Sequence, residues 1–371
     1  MTEAPTDRTS GSDDQMARAL ELAERGRGRT SPNPAVGAVL TRDGEVVGEG
    51  YHRRAGADHA EVVALEQAGE LARGATLWVT LEPCCYTGRT GPCSERLLAA
   101  GVAAVRVATL DPNPLVDGQG VAQLRAAGVQ VSVGDHEEEA KSLIREFAHW
   151  VTEGRPWVTL KYAMSLDGKV ATTGGESQWI TSELSRARAH RLRAEHDAVM
   201  VGSGTVLADD PRLTAREVPE GARQPLRVIV DSRLRTPPTA RIFATPGGPV
   251  LVATVEGADT SRQQAMRTAG AEVLTLPASG GRVPLAELLQ RLAERQITSL
   301  LVEGGPTLLG SFWQLRLGDG IAAFVAPVLL GGTAAPGPFG GRGAQTLEGS
   351  WSVGQLRAEP VGPDLLLTAE V

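Results

Sequence analysis

The chain reads His59-Ala60-Glu61 and, after a strand-like run from Leu77 to Leu81, Glu82-Pro83-Cys84-Cys85-Tyr86-Thr87-Gly88-Arg89-Thr90-Gly91-Pro92-Cys93. The triplet opens a helical stretch, Glu61 to Leu71, and Cys93 leads into another, Ser94 to Ala100. A strand set between two helix starts is the beginning of a crossover connection and points to an α/β layered fold.

One imidazole and two thiolates, His59, Cys84 and Cys93, make a zinc ligand set. Three protein ligands leave the fourth tetrahedral position for water, as a catalytic zinc requires. Glu61 beside such a site can take a proton from water and later protonate a departing amine. Cys93, expected behind a proline in the first helical turn, would have its thiolate favoured by the helix dipole. Residues i and i+2 of an ideal helix lie about 200° apart, so His59 and Glu61 converge only if His59 caps the helix. Two blander readings stand beside this one. His59 can be an ordinary polar residue with the cysteines as small buried hydrophobes, or Cys85 can close a structural zinc site, although adjacent cysteines rarely both reach one metal.

Working outward, short apolar runs at Val36–Leu40, Val46–Gly48, Thr76–Leu81, Val102–Thr109 and Val129–Val133 alternate with helical stretches, the last of them Glu137–Trp150. A first helix is expected from Gln15, capped by Ser12-Asp13-Asp14, with residues 1–14 a disordered tail. The breaker cluster Glu153-Gly154-Arg155-Pro156 places a domain boundary near residue 152. Beyond it, strands are expected at Trp157–Leu160, Asp197–Val201, Leu226–Val230, Val250–Ala253, Glu272–Leu276, Ser299–Val302 and Leu365–Val371. Helices are expected at Glu183–Glu195, Ser261–Ala269, Leu285–Arg295 and Thr307–Gln314. Two domains follow, residues 15–152 and 153–371. The glycine-rich Gly331–Gly343 reads as a long loop.

The 371 residues carry 37 Lys plus Arg against 44 Asp plus Glu, a net charge of −7. Broad phosphate-backbone binding is disfavoured by that balance, and with 4% aromatics few rings are present for stacking successive bases. The three cysteines all fall within ten residues, which suggests a site in a reducing compartment and not a disulfide framework. The longest apolar stretch, Ile321 to Leu330, contains Pro327 and is too short to span a bilayer. The polar, acidic N-terminus lacks a secretory signal's apolar core, so a cytoplasmic location is expected.

His59-Ala60-Glu61 with Pro83-Cys84 and Cys93 resembles the zinc cytidine-deaminase superfamily. The eight residues between the cysteines depart from that superfamily's two-residue spacing. The longer loop, with Pro32-Asn33-Pro34-Ala35-Val36-Gly37 before it and Asp111-Pro112-Asn113-Pro114 after it, is similar to the riboflavin-pathway pyrimidine deaminases. That resemblance implies that Asn33, His52, Arg89, Asp111 and Asn113 hold a pyrimidine and its ribose phosphate. Asp111 to Pro114 is also an ordinary turn sequence. Cys85-Tyr86 stands where these deaminases usually carry Ser-His, which puts one substrate contact in question.

In the second half, Glu303-Gly304-Gly305-Pro306-Thr307 follows a strand and leads into a helix, where glycines and a helix N-terminus favour a cofactor pyrophosphate. Gly202-Ser203-Gly204 lacks the third glycine of a Rossmann fingerprint, so a Rossmann domain is not supported. Lys161 to Lys169, Gly175 to Thr181, Thr205 to Arg216 and Val230-Asp231-Ser232 resemble the riboflavin-pathway reductases, with a dihydrofolate-reductase-like fold. By that resemblance Ala163, Trp179, Thr205, Asp209, Ser232 and the run Gly305, Pro306, Thr307, Leu308, Leu309, Gly310 and Ser311 line an NADPH site. Ser177, Arg193, Leu213, Arg216 and Glu303 would contact substrate. Arg233 and Arg235 are candidates for the NADP 2′-phosphate. Taken singly, each arginine reads as a solvated surface residue and Trp179 as partly buried core. Lys161 is a proton donor, a substrate contact or an edge residue.

The whole chain therefore resembles the bifunctional deaminase-reductase family of riboflavin biosynthesis. The expected fold is α/β, a cytidine-deaminase-like three-layer αβα domain followed by a dihydrofolate-reductase-like α/β domain. One zinc ion per chain, NADPH and phosphorylated pyrimidines are the implied ligands, with no nucleic acid or membrane partner and with homo-oligomerisation left open. A nucleic-acid or nucleoside deaminase with an accessory domain, and a zinc-stabilised binding module without turnover, are the rival classes.

Overall fold

The computed structural model describes residues 10–86, 91–219 and 222–371, with side chains from Gln15 onward. The chain divides into two compact units, Met1–Gly154 and Arg155–Val371.

The first unit runs α1 (Ser10–Glu24), β1 (Gly37–Arg42), β2 (Glu45–Tyr51), α2 (Ala60–Ala68), β3 (Thr76–Leu81), α3 (Cys93–Ala100), β4 (Ala104–Thr109), α4 (Gln119–Ala126), β5 (Gln130–Val133), α5 (Glu137–Leu143) and α6 (Arg145–Glu153). Its sheet has the order β2-β1-β3-β4-β5. The β1–β2 and β1–β3 pairs are antiparallel, and the β3–β4 and β4–β5 pairs are parallel. Alternation along the strands sends side chains to two faces. Leu40, Leu77, Val79 and Val105 pack with Ala60, Ala64, Leu97 and Leu124 of α2, α3 and α4. Val39 and Ala108 pack with Met16, Ala19 and Leu22 of α1 and Ala140 of α5. Helices thus cover both faces in three layers.

The first helix begins at Ser10, five residues before the expected start, so Ser10 to Asp14 are helical and not part of a disordered tail. Acidic residues near a helix N-terminus interact favourably with its dipole, which is compatible with the longer helix. Residues 1–9, the rest of the expected tail, lie outside the described residues. The single helix expected over Glu137–Trp150 is two, meeting at Ile144 (φ −106°, ψ 10°), and α6 continues to Glu153 before the left-handed Gly154 (φ 67°) ends it.

The second unit runs β6 (Trp157–Ser165), α7 (Glu183–Glu195), β7 (Ala198–Gly202), α8 (Ser203–Asp209), β8 (Leu226–Val230), α9 (Arg241–Ala244), β9 (Val250–Val255), α10 (Thr260–Thr268), β10 (Glu272–Leu276), α11 (Leu285–Glu294), β11 (Ser299–Val302), α12 (Pro306–Gln314), β12 (Gly320–Ala326), β13 (Arg357–Val361) and β14 (Asp364–Glu370). Nine strands lie in the order β10-β9-β8-β7-β11-β6-β12-β14-β13. The pairs from β10 through β12 are parallel, and β14 and β13 complete the sheet antiparallel. The chain steps outward from β7 to β10 and then returns β11 to a place between β7 and β6. That reversal is a topological switch point, and open α/β sheets bind ligands beyond the carboxyl ends of the strands at such points, here β7 and β11.

Two strands went unanticipated for opposite reasons. β12 is the continuous apolar run of a strand buried on both faces, the pattern that invites comparison with a membrane segment. Among the described residues no helix is long and apolar enough to cross a membrane. β13 is an exposed edge strand carrying Arg357, Glu359 and Pro360, a composition suited to an edge that must not recruit another strand.

Arg227 on β8 is 4% exposed. Its guanidinium donates to the backbone carbonyls of Gly248, Ile242, Thr245 and Arg212 at 2.6 to 3.3 Å. It thereby ties the segment around Leu213 to the β8–β9 connection.

Candidate functional sites

In the first unit His59 is the N-cap of α2, with extended backbone angles (φ −70°, ψ 159°). The condition for convergence is therefore met: the His59 side chain leaves the helical screw and can face the same point as Glu61 in the first turn. Pro92 is the N-cap of α3 and Cys93 its first residue, so the proline stands just before the first turn and not within it as the sequence suggested. Two helix N-termini and the loop after β3 bring the three candidate ligands together. The His59 Nδ1 atom lies 3.2 Å from Cys93 Sγ and 3.6 Å from Cys84 Sγ, and all three donor atoms fall within 4.8 Å of one another. Ligand atoms on a tetrahedral zinc at 2.0–2.3 Å are about 3.5 Å apart. The donor set fits zinc in both chemistry and span.

The Cys93 backbone N–H donates to Cys84 Sγ at 3.4 Å, and the Ser94 N–H donates to the Cys84 carbonyl at 3.1 Å, which holds the Cys84 loop against the start of α3. A hydrogen bond from the Cys93 thiol, with His59 adding to it against the opposing effect of burial, holds the Cys84 thiol well below its ordinary range. Cys84 is thus disposed to be a thiolate ligand. Glu61 is 3% exposed and its carboxyl meets the Cys93 thiol. Burial pushes that carboxyl up, opposed by the charge of His59. Cys85 is half-buried and stands outside the three-residue cluster, so the closed structural site with Cys85 as fourth ligand is not formed.

Around this cluster, Asn33 Nδ2 donates to His52 Nε2 at 3.1 Å, while His52 Nδ1–H donates to the Asp58 carbonyl at 3.0 Å. Both bonds require the neutral Nδ1–H tautomer, and burial pushes the His52 imidazole down, favouring it. The His52 and His59 rings meet edge to face with centroids 5.4 Å apart. Asp111 is buried and its carboxyl is pushed up to about 6 by that burial. Its Oδ1 accepts the Asn113 N–H at 2.9 Å, and Asn113 Oδ1 accepts the Leu115 N–H at 3.1 Å. The Asp-Pro-Asn-Pro sequence is therefore a turn as well as a candidate contact. Tyr86 is 41% exposed. Arg89 lies outside the described residues.

In the second unit Glu303, at the carboxyl end of β11, is buried between two cations. Its Oε1 accepts from Arg193 Nε at 2.5 Å, and its Oε2 from Arg193 Nη2 at 2.9 Å and Lys161 Nζ at 3.3 Å. Burial alone would raise the Glu303 carboxyl, but the charges of Arg193 and Lys161 outweigh it and hold it far below the usual carboxylate range. Arg193 also donates to the Thr214 carbonyl at 3.1 Å, and Arg216 donates to Thr214 Oγ1 at 3.1 Å. Two cations meet the carboxylate and Arg216 stands beside them at Thr214, a surplus of positive charge that suits a phosphate. The same surplus acts on His190, pushed down first by burial and then by Arg193 and Arg216.

The helices after β7 and β11, α8 and α12, begin side by side, joined by a bond from the Gly305 N–H to Thr205 Oγ1 at 3.1 Å. Asp209 Oδ1 accepts from Ser177 Oγ at 3.1 Å, and Ser232 Oγ accepts the Val283 N–H at 3.1 Å. Pro306 opens α12, and Ser311 Oγ donates back to the Thr307 carbonyl. Leu308, Leu309 and Leu213 are buried in the core. Gly310 touches the Gly340 backbone so closely that a Cβ would sit 2.1 Å from its carbonyl oxygen. These four residues can meet a ligand only through backbone atoms, if at all. Ala163 lies on β6 in register with Phe324. Trp179 is not partly buried core: it is 69% exposed, under the Arg186 guanidinium at 4.7 Å. Arg235 Nη2 donates to Ser203 Oγ at the start of α8, whereas the Arg233 backbone is held by Asp231 and Arg262.

One residue was read without its partner and another was missed. Lys161, left open as proton donor, substrate contact or edge residue, pairs with Glu303, and a lysine inside an apolar strand signals such a buried counter-charge. Glu82 had no assigned part, and nothing in its local sequence marks it.

The layered unit with its His/Cys/Cys cluster, followed by a mainly parallel-sheet unit with a switch point between β7 and β11, is the architecture of a zinc-dependent deaminase joined to a reductase. Residues 10–109 match the family described as the cytidine and deoxycytidylate deaminase zinc-binding region, and residues 156–367 match the RibD C-terminal domain. The riboflavin biosynthesis protein RibD of Aquifex aeolicus is 46% identical over 95% of this chain and 96% of its own length. Its counterpart in Escherichia coli is 44% identical over 95% and 97%. Among solved structures, Acinetobacter baumannii RibD superposes with a TM-score of 0.87 at 40% identity, covering 97% of this chain and 98% of its own. A diaminohydroxyphosphoribosylaminopyrimidine deaminase/5-amino-6-(5-phosphoribosylamino)uracil reductase from Thermotoga maritima gives 0.85 at 37% identity, covering 97% and 98%. The chain belongs to the RibD family of bifunctional deaminase-reductases in riboflavin biosynthesis.

The ligand set gives a direct test by elemental analysis. Cys93→Ala is expected to lose its bound zinc, because two protein ligands replace three, and Cys85→Ser is expected to keep one zinc per chain. Retention of metal in Cys93→Ala refutes the ligand set.

Proposed function

We propose that the first unit, taken as residues 15–152, deaminates 2,5-diamino-6-ribosylamino-4(3H)-pyrimidinone 5′-phosphate. The second, residues 153–371, then reduces the ribosyl group of the product to ribityl with NADPH, giving 5-amino-6-ribitylamino-uracil 5′-phosphate. The observation that carries this reading is the buried Glu61 carboxyl against the His59, Cys84 and Cys93 cluster, with the oriented Asn33–His52 pair beside it.

In the deamination, water adds to the amino-bearing carbon. Glu61 takes the proton from that water and delivers it to the departing nitrogen, which leaves as ammonia while the carbon becomes a carbonyl. Zinc held by His59, Cys84 and Cys93 would supply the Lewis acidity that lowers the proton affinity of the attacking water. Asn33, its Nδ2 spent on His52, offers Oδ1 to a ring N–H. Asp111 and Asn113 support the ribosyl end, and Arg89 is the candidate clamp for its phosphate.

For the reduction, Arg193, Arg216 and Lys161 provide the positive charge for the substrate phosphate and ribosyl oxygens, with Glu303 setting the positions of Arg193 and Lys161 and with Ser177 and Leu213 at the edge. NADPH would lie across the switch point, its pyrophosphate near the starts of α8 and α12 among Thr205, Asp209, Ser232 and Gly305 to Ser311. Ala163 and Trp179 would flank the nicotinamide, and Arg235, next to Ser203, would meet the 2′-phosphate. The cofactor supplies hydride, and the residues supply orientation.

Mass spectrometry of the diaminopyrimidine incubated with the enzyme tests both halves. Without NADPH one amino group is expected to be replaced by oxygen, and with NADPH two hydrogens are expected to be gained in addition. Gain of hydrogens with the amino group retained refutes the order. Loss of ammonia from a nucleoside or an RNA, with no turnover of the diaminopyrimidine, refutes the substrate.

A further inference from the structure

Glu82 follows β3 and precedes the Pro83-Cys84 segment, and it is 3% exposed. A buried carboxylate requires compensation, and Glu82 finds it in backbone N–H groups far along the chain. Its Oε2 accepts from Asp111 at 3.2 Å and from Gly118 at 2.9 Å, and its Oε1 accepts from Val121 at 2.9 Å. Gly118 is the N-cap of α4 and Val121 lies in its first turn, so the carboxylate also faces the positive end of that helix. The approach is close: a Cβ on Gly120 would lie 2.1 Å from the Pro83 carbonyl oxygen. The Glu82 backbone N–H donates to the Thr109 carbonyl at 3.0 Å.

One side chain therefore joins the segment carrying a zinc ligand to the segment carrying Asp111 and Asn113. Three charge-assisted bonds to N–H groups set the height of the 111–121 segment relative to Cys84. A glutamine could offer an oxygen on only one side and would turn an N–H donor toward the other.

We infer that Glu82 is a positioning residue for deamination, fixing the Asp111–Asn113 turn at the distance from Cys84 that the pyrimidine ribosyl phosphate requires. The inference rests on the reading of Asp111 and Asn113 as substrate contacts. It concerns the binding end of the substrate, so its effect falls mainly on KM and less on kcat.

Glu82→Gln and Asp111→Asn are compared with wild type in the full chain. Ammonia release gives kcat and KM, elemental analysis gives zinc, thermal unfolding followed by circular dichroism reports whether the first unit is folded, and NADPH oxidation with pre-deaminated substrate is the control for the second unit. Glu82→Gln is expected to raise KM at least tenfold with kcat reduced much less, one zinc per chain and wild-type reduction. Glu82→Asp, which keeps both acceptors on a shorter arm, is expected to recover part of the loss, and it serves as the test variant should Glu82→Gln fail to fold. A KM within threefold of wild type, or zinc lost in proportion to turnover, overturns the inference. Where Asp111→Asn raises KM and Glu82→Gln does not, only the role of Glu82 fails. Where Asp111→Asn leaves KM unchanged, the reading of the turn fails and takes the inference with it.

Discussion

Glu61→Gln is expected to slow ammonia release by a factor of about 10²–10⁴, the usual range for loss of a general acid-base group, while one zinc per chain remains bound. The substitution is nearly isosteric, so α2 and the ligand atoms should keep their places, but an amide cannot accept a proton from water and pass it to an amine. The environment suits the role: burial raises the carboxyl, the His59 charge opposes that rise, and the Cys93 thiol touches it. Reduction of pre-deaminated substrate should proceed at the wild-type rate, because none of the residues in the Lys161–Glu303 cluster belongs to the first unit. A loss of less than tenfold in kcat, with zinc retained, would assign the proton transfer to another group.

What the sequence makes legible is the chemistry that depends on residue type, and what it hides is the chemistry that depends on reach. Histidine, two cysteines and a glutamate announce a metal-assisted hydrolysis by identity alone. Their convergence was undecided, because helical geometry places His59 and Glu61 on opposite sides unless the first residue is a cap, and only the extended backbone of His59 settles it. Glu82 is invisible by contrast: a glutamate before proline reads as a surface turn residue, and its acceptors serve N–H groups 29 to 39 positions away. The Lys161–Glu303–Arg193 cluster hides in the same manner, its members separated by 142 and 110 positions, with Lys161 and Glu303 brought together by the neighbouring places of β6 and β11 in the sheet and Arg193 supplied by α7. Strand periodicity was read well where one face is exposed or the run is short. It failed at β12, whose residues are apolar throughout, and at β13, which is exposed along nearly its whole length and carries a proline.

Arg193→Met should eliminate most reductase activity and weaken the second unit, through a single cause. The Arg193 guanidinium is committed to both Glu303 oxygens and to the Thr214 carbonyl, and its Nη1 also lies 3.4 Å from His190 Nδ1. Methionine fills part of the volume but leaves a buried carboxylate facing Lys161 alone, at 3.3 Å. Breaking a buried ion pair by removing one partner typically costs about 3–5 kcal/mol, and the remaining lysine places this case at the lower end, about 3 kcal/mol. In wild type the Glu303 carboxyl is held below its unfolded value, so its contribution to stability is complete above roughly pH 4.3, the ordinary glutamate value, and is lost only as pH falls through the lower folded value. Without Arg193 the burial effect is opposed by one cation and the folded value rises. The acid edge of both stability and reductase activity should then move to higher pH, and at neutral pH the urea midpoint for loss of NADPH oxidation should fall. Arg193→Lys restores charge without the two-pronged geometry and should recover stability more than activity, since a single ammonium cannot engage both Glu303 oxygens and the Thr214 carbonyl as the guanidinium does. Zinc-dependent ammonia release is the internal control, because the cluster and the zinc ligands lie in separate compact units. If Arg193→Met retains wild-type NADPH oxidation at neutral pH, Glu303 does not depend on its arginine, and the reductase site must be built around Lys161 and Arg216 instead.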